Sequence, residues 1–159
     1  MNTYDYNISD IVNKYSRHVA MLSYTYTKNI ADAEDIAQDV FLQLVKSNKK
    51  FENEEHLRAW LFRIAINKSK NHLKSFWISH RSDFPTENTS IHEKDYDLIR
   101  SVLKLEPKYR IPIHLFYYEG YSIKEISAIL HEKEATIGTR LDRARKKLKD
   151  KLESDYYGL

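Results

Sequence analysis

Thr136, Thr139, Arg140, Arg143 and Lys147 recur at spacings of three and four residues, which places them together along one face of a helix. Ile137, Leu141, Ala144, Leu148 and Leu152 take the opposite stripe. A guanidinium can bond a guanine edge through two parallel hydrogen bonds, while threonine and lysine hold phosphates, so the chemistry on offer is non-covalent recognition of DNA. A second cationic stretch lies upstream. Between His56 and Ser82 there is no Asp or Glu, against Arg58, Arg63, Lys68, Lys70, Lys74 and Arg81. Covalent and metal chemistry find little to work with. The 7 histidines form no i, i+4 pair, no cysteine is present to complete a zinc site, and the 3 glycines are too scattered for a phosphate-cradling loop. No enzyme active site, metal site or cofactor is expected.

The elements that must carry these residues read as helices. Apolar positions at Ile8, Ile11, Val12, Tyr15, Val19 and Leu22 predict a helix from Tyr4 to Thr27. Asp32 is placed to cap a second helix, which buries Ile36, Val40, Phe41 and Leu44 and runs to about Lys46. A polar loop, interrupted by Phe51, leads to a third helix with Leu57, Trp60, Leu61, Ile64 and Ala65 on its apolar side. Around Pro85 the composition turns to Thr, Ser and Asn with mixed charge, as in a linker. Pro107 opens a new helical stretch, and Pro112 inside it predicts a kink or a late start. Ser122 and Glu125 then form a capping box directly after a Gly120 turn, and a short break at His131–Lys133 precedes the helix with the cationic face. That pair of helices is a helix-turn-helix.

The expected fold is therefore all-α, with two small helical domains at residues 1–78 and 96–159 joined by a flexible linker at 79–95. With 42% hydrophobic and 31% charged residues the 159-residue chain has the composition of a soluble folded protein. The net charge of +3 says little, but its concentration in two stretches suits a polyanion gripped at two places. Acids near the N-terminus and the absence of a long apolar run argue against a signal peptide or membrane insertion, so a cytoplasmic location is expected.

Three segments, 105–110, 117–126 and 135–148, resemble region 4 of bacterial RNA polymerase sigma factors. Asp32-Ala-Glu-Asp-Ile-Ala-Gln-Asp-Val-Phe41 and Trp60-Leu-Phe-Arg-Ile-Ala-Ile-Asn67 resemble region 2 of the same family. Both regions in this order, with little else, resemble the extracytoplasmic-function (ECF) subgroup. The resemblance implies a protein that binds core RNA polymerase and promoter DNA, needs no small-molecule substrate, and answers to an anti-sigma factor. Asp35, Gln38 and Asp39 match the positions that grip polymerase. Phe51 and Asn53 match the loop that captures a flipped base of the −10 element, although Phe51 is equally suited to plug the core. Arg63, Asn67, Lys70, Asn71 and Lys74 match positions facing −10 DNA. Thr139, Arg140 and Arg143 match positions at the −35 element, with Thr136 on the same face and Lys146 and Lys147 at phosphates. Trp60 matches a family tryptophan, yet its place on the apolar stripe makes it core first. Arg145 lies nearer the apolar side, where packing or a salt bridge would use it. Gly138 and Phe116 depart from the long polar or basic side chains common at those positions, so the promoter preference does not transfer.

Overall fold

A computed structural model describes residues 3–79 and 96–157, with side chains placed at 3–75 and 100–150. Every regular element among them is helical. The chain divides into two compact units, Met1–Asn88 and Thr89–Leu159. The linker expected at 79–95 lies, Ser79 apart, outside the described residues.

The first unit is built from α1 (Ile8–Thr27), α2 (Ile30–Ser47) and α3 (Glu54–Ser79), each of which packs on the other two. Ile11, Tyr15, Val19 and Leu22 meet Ile36, Val40, Phe41 and Leu44, and Leu57, Trp60, Leu61 and Ala65 complete the core. Full burial of such a side chain contributes roughly 1.5–3 kcal/mol. The helix periodicity is what puts these residues on one side.

Two helix starts differ from expectation. α1 begins at Ile8 rather than Tyr4, because the Asn7 side chain accepts the Asp10 N–H at 3.2 Å and stops the helix there. Tyr4 instead donates its backbone N–H to the Phe51 carbonyl at 2.7 Å. α2 is capped by Asn29, not Asp32: the Asn29 carboxamide oxygen accepts the Asp32 N–H at 3.0 Å. The turn is therefore short. Lys28 adopts a left-handed conformation (φ 56°) and donates to the Tyr24 carbonyl, and Thr27 Oγ1 accepts the Asn29 N–H. Asp32, freed from capping, pairs with His72 of α3 at 3.1 Å.

The second unit contains α4 (Tyr96–Leu103), α5 (Pro107–Ile113), a π-helical turn (His114–Tyr118), α6 (Ile123–Leu130) and α7 (Glu134–Tyr157). Arg110 is buried and donates from one guanidinium nitrogen to the Leu103 carbonyl at 3.1 Å, which satisfies the end of α4. Pro112 does not delay the helix, since α5 starts at Pro107, a position where the missing N–H costs nothing. The spiral widens into the π turn just after Pro112, and Glu119 N–H reaches the His114 carbonyl five residues back. Gly120 then turns the chain at φ +76°. Both halves of the capping box form, with Ser122 Oγ accepting from Glu125 N–H at 3.2 Å and Glu125 Oε1 accepting from Ser122 N–H at 3.0 Å. His131, left-handed at φ 54°, ends α6. Ile126 and Ile129 of α6 pack with Ile137, Leu141 and Ala144 of α7. The expected turn at 131–133 and start at Glu134 are where the structure has them.

Candidate nucleic-acid interface

On α7 the buried stripe fixes the rotation of the helix, so Thr139, Arg143, Lys146 and Lys147 are exposed and Thr136 and Arg140 are half-buried. Thr136, Thr139, Arg140 and Arg143 come together with Lys108, Tyr109 and Ala135 around an open concavity of about 410 Å³. Three details modify the row. Thr139 Oγ1 donates to the Ala135 carbonyl at 2.9 Å, which leaves the hydroxyl oxygen as an acceptor. Arg140 faces Glu132 Oε1 at 3.4 Å from both terminal nitrogens, a long and half-exposed pair of the kind worth about 0.2–1 kcal/mol. Lys147 Nζ lies 5.3 Å from the Tyr109 ring centroid.

Lys108 and Tyr109 were not legible as site residues in the sequence. They reach the concavity only because α5 packs against α7, a tertiary contact that local spacing does not encode. Arg145 behaves as its position near the apolar side suggests. Its Nε donates to the Tyr117 hydroxyl at 2.6 Å and one terminal nitrogen to Asp142 at 2.8 Å, while its guanidinium sits 5.5 and 5.6 Å from the Phe116 and Tyr117 rings. The Tyr117 hydrogen bond, more than any other contact, pushes its pKa upward. Arg145 is thus anchored.

On α3, Arg63, Asn67, Lys70, Asn71 and Lys74 follow one another at i, i+4, i+7, i+8 and i+11, a single face. Arg63 is half-buried and the other four are exposed. Asn53 is exposed, and its side-chain oxygen accepts the His56 N–H at 2.8 Å, capping α3. Its carboxamide nitrogen takes no part in the cap.

Phe51 requires correction. Its ring is 1% exposed, met edge-on by Tyr6, His56 and Trp60 at centroid distances of 5.9, 5.3 and 5.7 Å. With 1% of its surface exposed the ring offers no face on which a base could stack, so in this structure Phe51 sits as the core plug that the sequence also allowed. Trp60, also buried, is core as expected.

Asp35, Gln38 and Asp39 are exposed on the outer face of α2, opposite Ile36, Ala37 and Val40. Leu42 (53% exposed) and Val45 (54%) continue that same face at i+7 and i+10 from Asp35. Sequence reasoning passed over them, although two apolar residues off the core stripe of an amphipathic helix are a readable signal. At the base of the unit Glu54 pairs with Lys14 and accepts from the Tyr15 hydroxyl at 2.7 Å, and these contacts, Lys14 foremost, hold its carboxyl below the usual range. Among the described residues no helix is long and apolar enough to cross a membrane.

An all-helical chain with a helix-turn-helix whose second helix turns cations and threonines outward defines a DNA-binding protein. Comparison with known proteins narrows the class. The Sigma-70 region 2 family model matches residues 11–77, and the Sigma-70, region 4 model matches residues 96–148. The chain belongs to the sigma-70 family of RNA polymerase sigma factors, within its ECF subgroup. It is 28% identical over 164 residues to the ECF RNA polymerase sigma factor SigW of Bacillus subtilis (strain 168), covering 91% of this chain and 88% of that one. To the RNA polymerase sigma factor SigV of the same organism it is 27% identical over 139 residues, 84% of each chain. To the ECF RNA polymerase sigma-E factor of Escherichia coli (strain K12) it is 25% identical over 163 residues, 90% of this chain and 85% of that one. Among solved structures, the sigma factor RpoE of Bartonella quintana, in complex with the anti-sigma factor NepR, superposes with a TM-score of 0.74 at 22% identity, over 92% of this chain and 97% of that chain. CnrH, in complex with the cytosolic domain of CnrY, gives 0.66 at 25% identity, over 93% and 88%.

Proposed function

We propose that this chain binds core RNA polymerase and directs it to promoters by reading a −35 element with α7 and a −10 element with α3. The observation that carries this reading is the presence, in one chain and in family order, of two helical units that each turn a cationic face outward. Polymerase performs the chemistry, and the sigma factor supplies recognition. The family is one of initiation factors rather than catalysts.

Residue roles follow from placement. Arg143 is the foremost base reader, because it is exposed beside the α7 concavity, where none of the described residues forms an ion pair with it. Arg140 becomes a reader once Glu132 releases it, and Thr136 and Thr139 line the same surface. Lys146, Lys147 and Lys108 lie beside them to hold phosphates. Asn67 and Asn71 offer amides, and Arg63, Lys70 and Lys74 cations, to −10 DNA, with Asn53 at the loop edge. Asp35, Gln38 and Asp39 face polymerase, and Leu42 and Val45 add an apolar centre to that contact. Domains 1–78 and 96–159 act as separate modules joined at 79–95. The place of action is the cytoplasm, where polymerase is. The structural neighbour RpoE of Bartonella quintana was solved with the anti-sigma factor NepR bound, which supports an anti-sigma partner here.

Purified chain added to core polymerase should give specific transcripts from its promoter in a run-off assay. Failure to associate with core at micromolar concentration would remove the proposal.

A further inference from the structure

Between Thr136 and Lys149, on a helix whose outer face is otherwise cationic, Asp142 is the sole acid. It does not sit aside from the reading face. Thr139, Asp142, Arg143 and Lys146 are all exposed and spaced i, i+3, i+4 and i+7, which makes them the crest of α7 opposite the sealed Ile137, Leu141 and Ala144. The Asp142 side chain is 79% exposed. Its Oδ1 accepts from an Arg145 terminal nitrogen at 2.8 Å, and Arg145 is itself fixed by the Tyr117 hydroxyl at 2.6 Å and by the Phe116 and Tyr117 rings. Oδ2 takes no hydrogen bond among the described residues. One turn earlier, the direction in which helical side chains lean, stands Gly138, where even a Cβ would meet nothing within 4 Å. The carboxylate is thus held at one oxygen and left uncovered at the other, on the crest that a groove would receive first.

We propose that Asp142 is a specificity-determining residue that reads cytosine, its Oδ2 accepting from the exocyclic N4 amino group in the major groove. The inference deepens the reading of α7 as the −35 helix and rests on it. Phosphates repel a carboxylate, so the DNA groups that can hold one on this crest are the amino donors of base edges, cytosine N4 and adenine N6. Adenine flanks its amino group with its own N7 acceptor and with O4 of the paired thymine, whereas cytosine N4 has an acceptor, guanine O6, on one side alone. Cytosine is the better match. Arg145 keeps its pair with Oδ1 and offsets the negative charge that Asp142 brings near the backbone, while Tyr117 holds the arginine in place. Arg145 and Tyr117 are therefore positioning residues.

The test is a selection of bound duplexes from a randomised DNA pool by the full chain assembled with core polymerase, with the bases counted at each position. Wild type should show a position at which cytosine is preferred roughly tenfold. Asp142→Ala should level the bases there and nowhere else. Asp142→Asn should exchange cytosine for adenine, since a carboxamide matches the adenine N6 and N7 edge. Tyr117→Phe, which unties Arg145, should weaken the cytosine preference at the same position. An ion pair with no reading role would leave every position as in wild type, and that result, or a change spread evenly over all positions, would overturn the inference. A second readout changes the DNA instead. A duplex with 2-pyrimidinone, which lacks the amino group, in place of the selected cytosine should bind wild type more weakly and Asp142→Ala no differently; equal loss in both proteins refutes the contact. Arg143→Ala separates the two levels. If neither it nor the Asp142 variants shifts any position, the α7 reading itself fails; if it relaxes one position while the Asp142 variants relax none, only the cytosine contact falls.

Discussion

At the scale of the residue, recognition depends on which side chains are free to leave their neighbours. Arg140 is held by Glu132 through a long surface pair whose rupture costs under about 1 kcal/mol. Glu132→Gln should therefore tighten −35 DNA binding about 2–5-fold in a fluorescence-anisotropy titration, and a weaker complex would show that Glu132 positions the arginine instead. Arg143→Ala should cost about 1–3 kcal/mol at one base pair and relax specificity there, whereas Lys147→Ala should weaken all sequences alike. Equal effects on every sequence from both would mean that the reading face of α7 is misassigned. Tyr15 is a structural counterpart. Burial first, and the Glu54 hydrogen bond second, push its pKa upward, so it stays a neutral donor. Because Glu54 titrates below its unfolded value, the stabilisation it receives is present above the ordinary carboxylate range and is lost as pH falls through the folded value. Tyr15→Phe should lose about 1 kcal/mol at pH 7 and progressively less as pH falls below the ordinary carboxylate range, measured by urea melts at each pH.

At the scale of the element, periodicity was enough where one face of a helix is buried and the other wet. The α6–turn–α7 unit was legible almost to the residue, since a capping box, a glycine turn and a one-sided apolar stripe all mark the same boundaries. The starts of α1 and α2 were less legible. Asn7 and Asn29 each compete with other capping or helix-forming residues nearby, and which one wins depends on where the chain must turn and on His72 claiming Asp32. Phe51 was ambiguous for a related reason: an aromatic in a polar loop reads the same whether it faces in or out until its partners Tyr6 and Trp60 are placed. Lys108 and Tyr109 carried no local signal at all. Gly138 offers a direct check on helix energetics. It has ordinary helical geometry, and a Cβ there would meet nothing within 4 Å, so Gly138→Ala should stabilise the protein by about 1 kcal/mol through helix propensity alone. A fall in melting temperature would instead indicate that the glycine serves a close approach in the free protein.

At the scale of the whole molecule, two units of modest size divide the work. A flat net charge of +3 conceals cationic faces on α3 and α7, and their placement on separate units matches a promoter with two separated elements. If Lys108, Lys146 and Lys147 of one unit and Lys70 and Lys74 of the other neutralise five phosphates, log affinity for promoter DNA should fall with log salt at a slope of about −4 to −5. The central claim is that each unit reads its own element. Hydroxyl-radical footprinting of the chain assembled with core polymerase on its promoter tests this most directly. The account predicts two protected patches, the upstream one lost in Arg143→Ala with Lys147→Ala and the downstream one lost in Asn67→Ala with Lys70→Ala. Loss of the same patch from both double variants, or of neither, would contradict it.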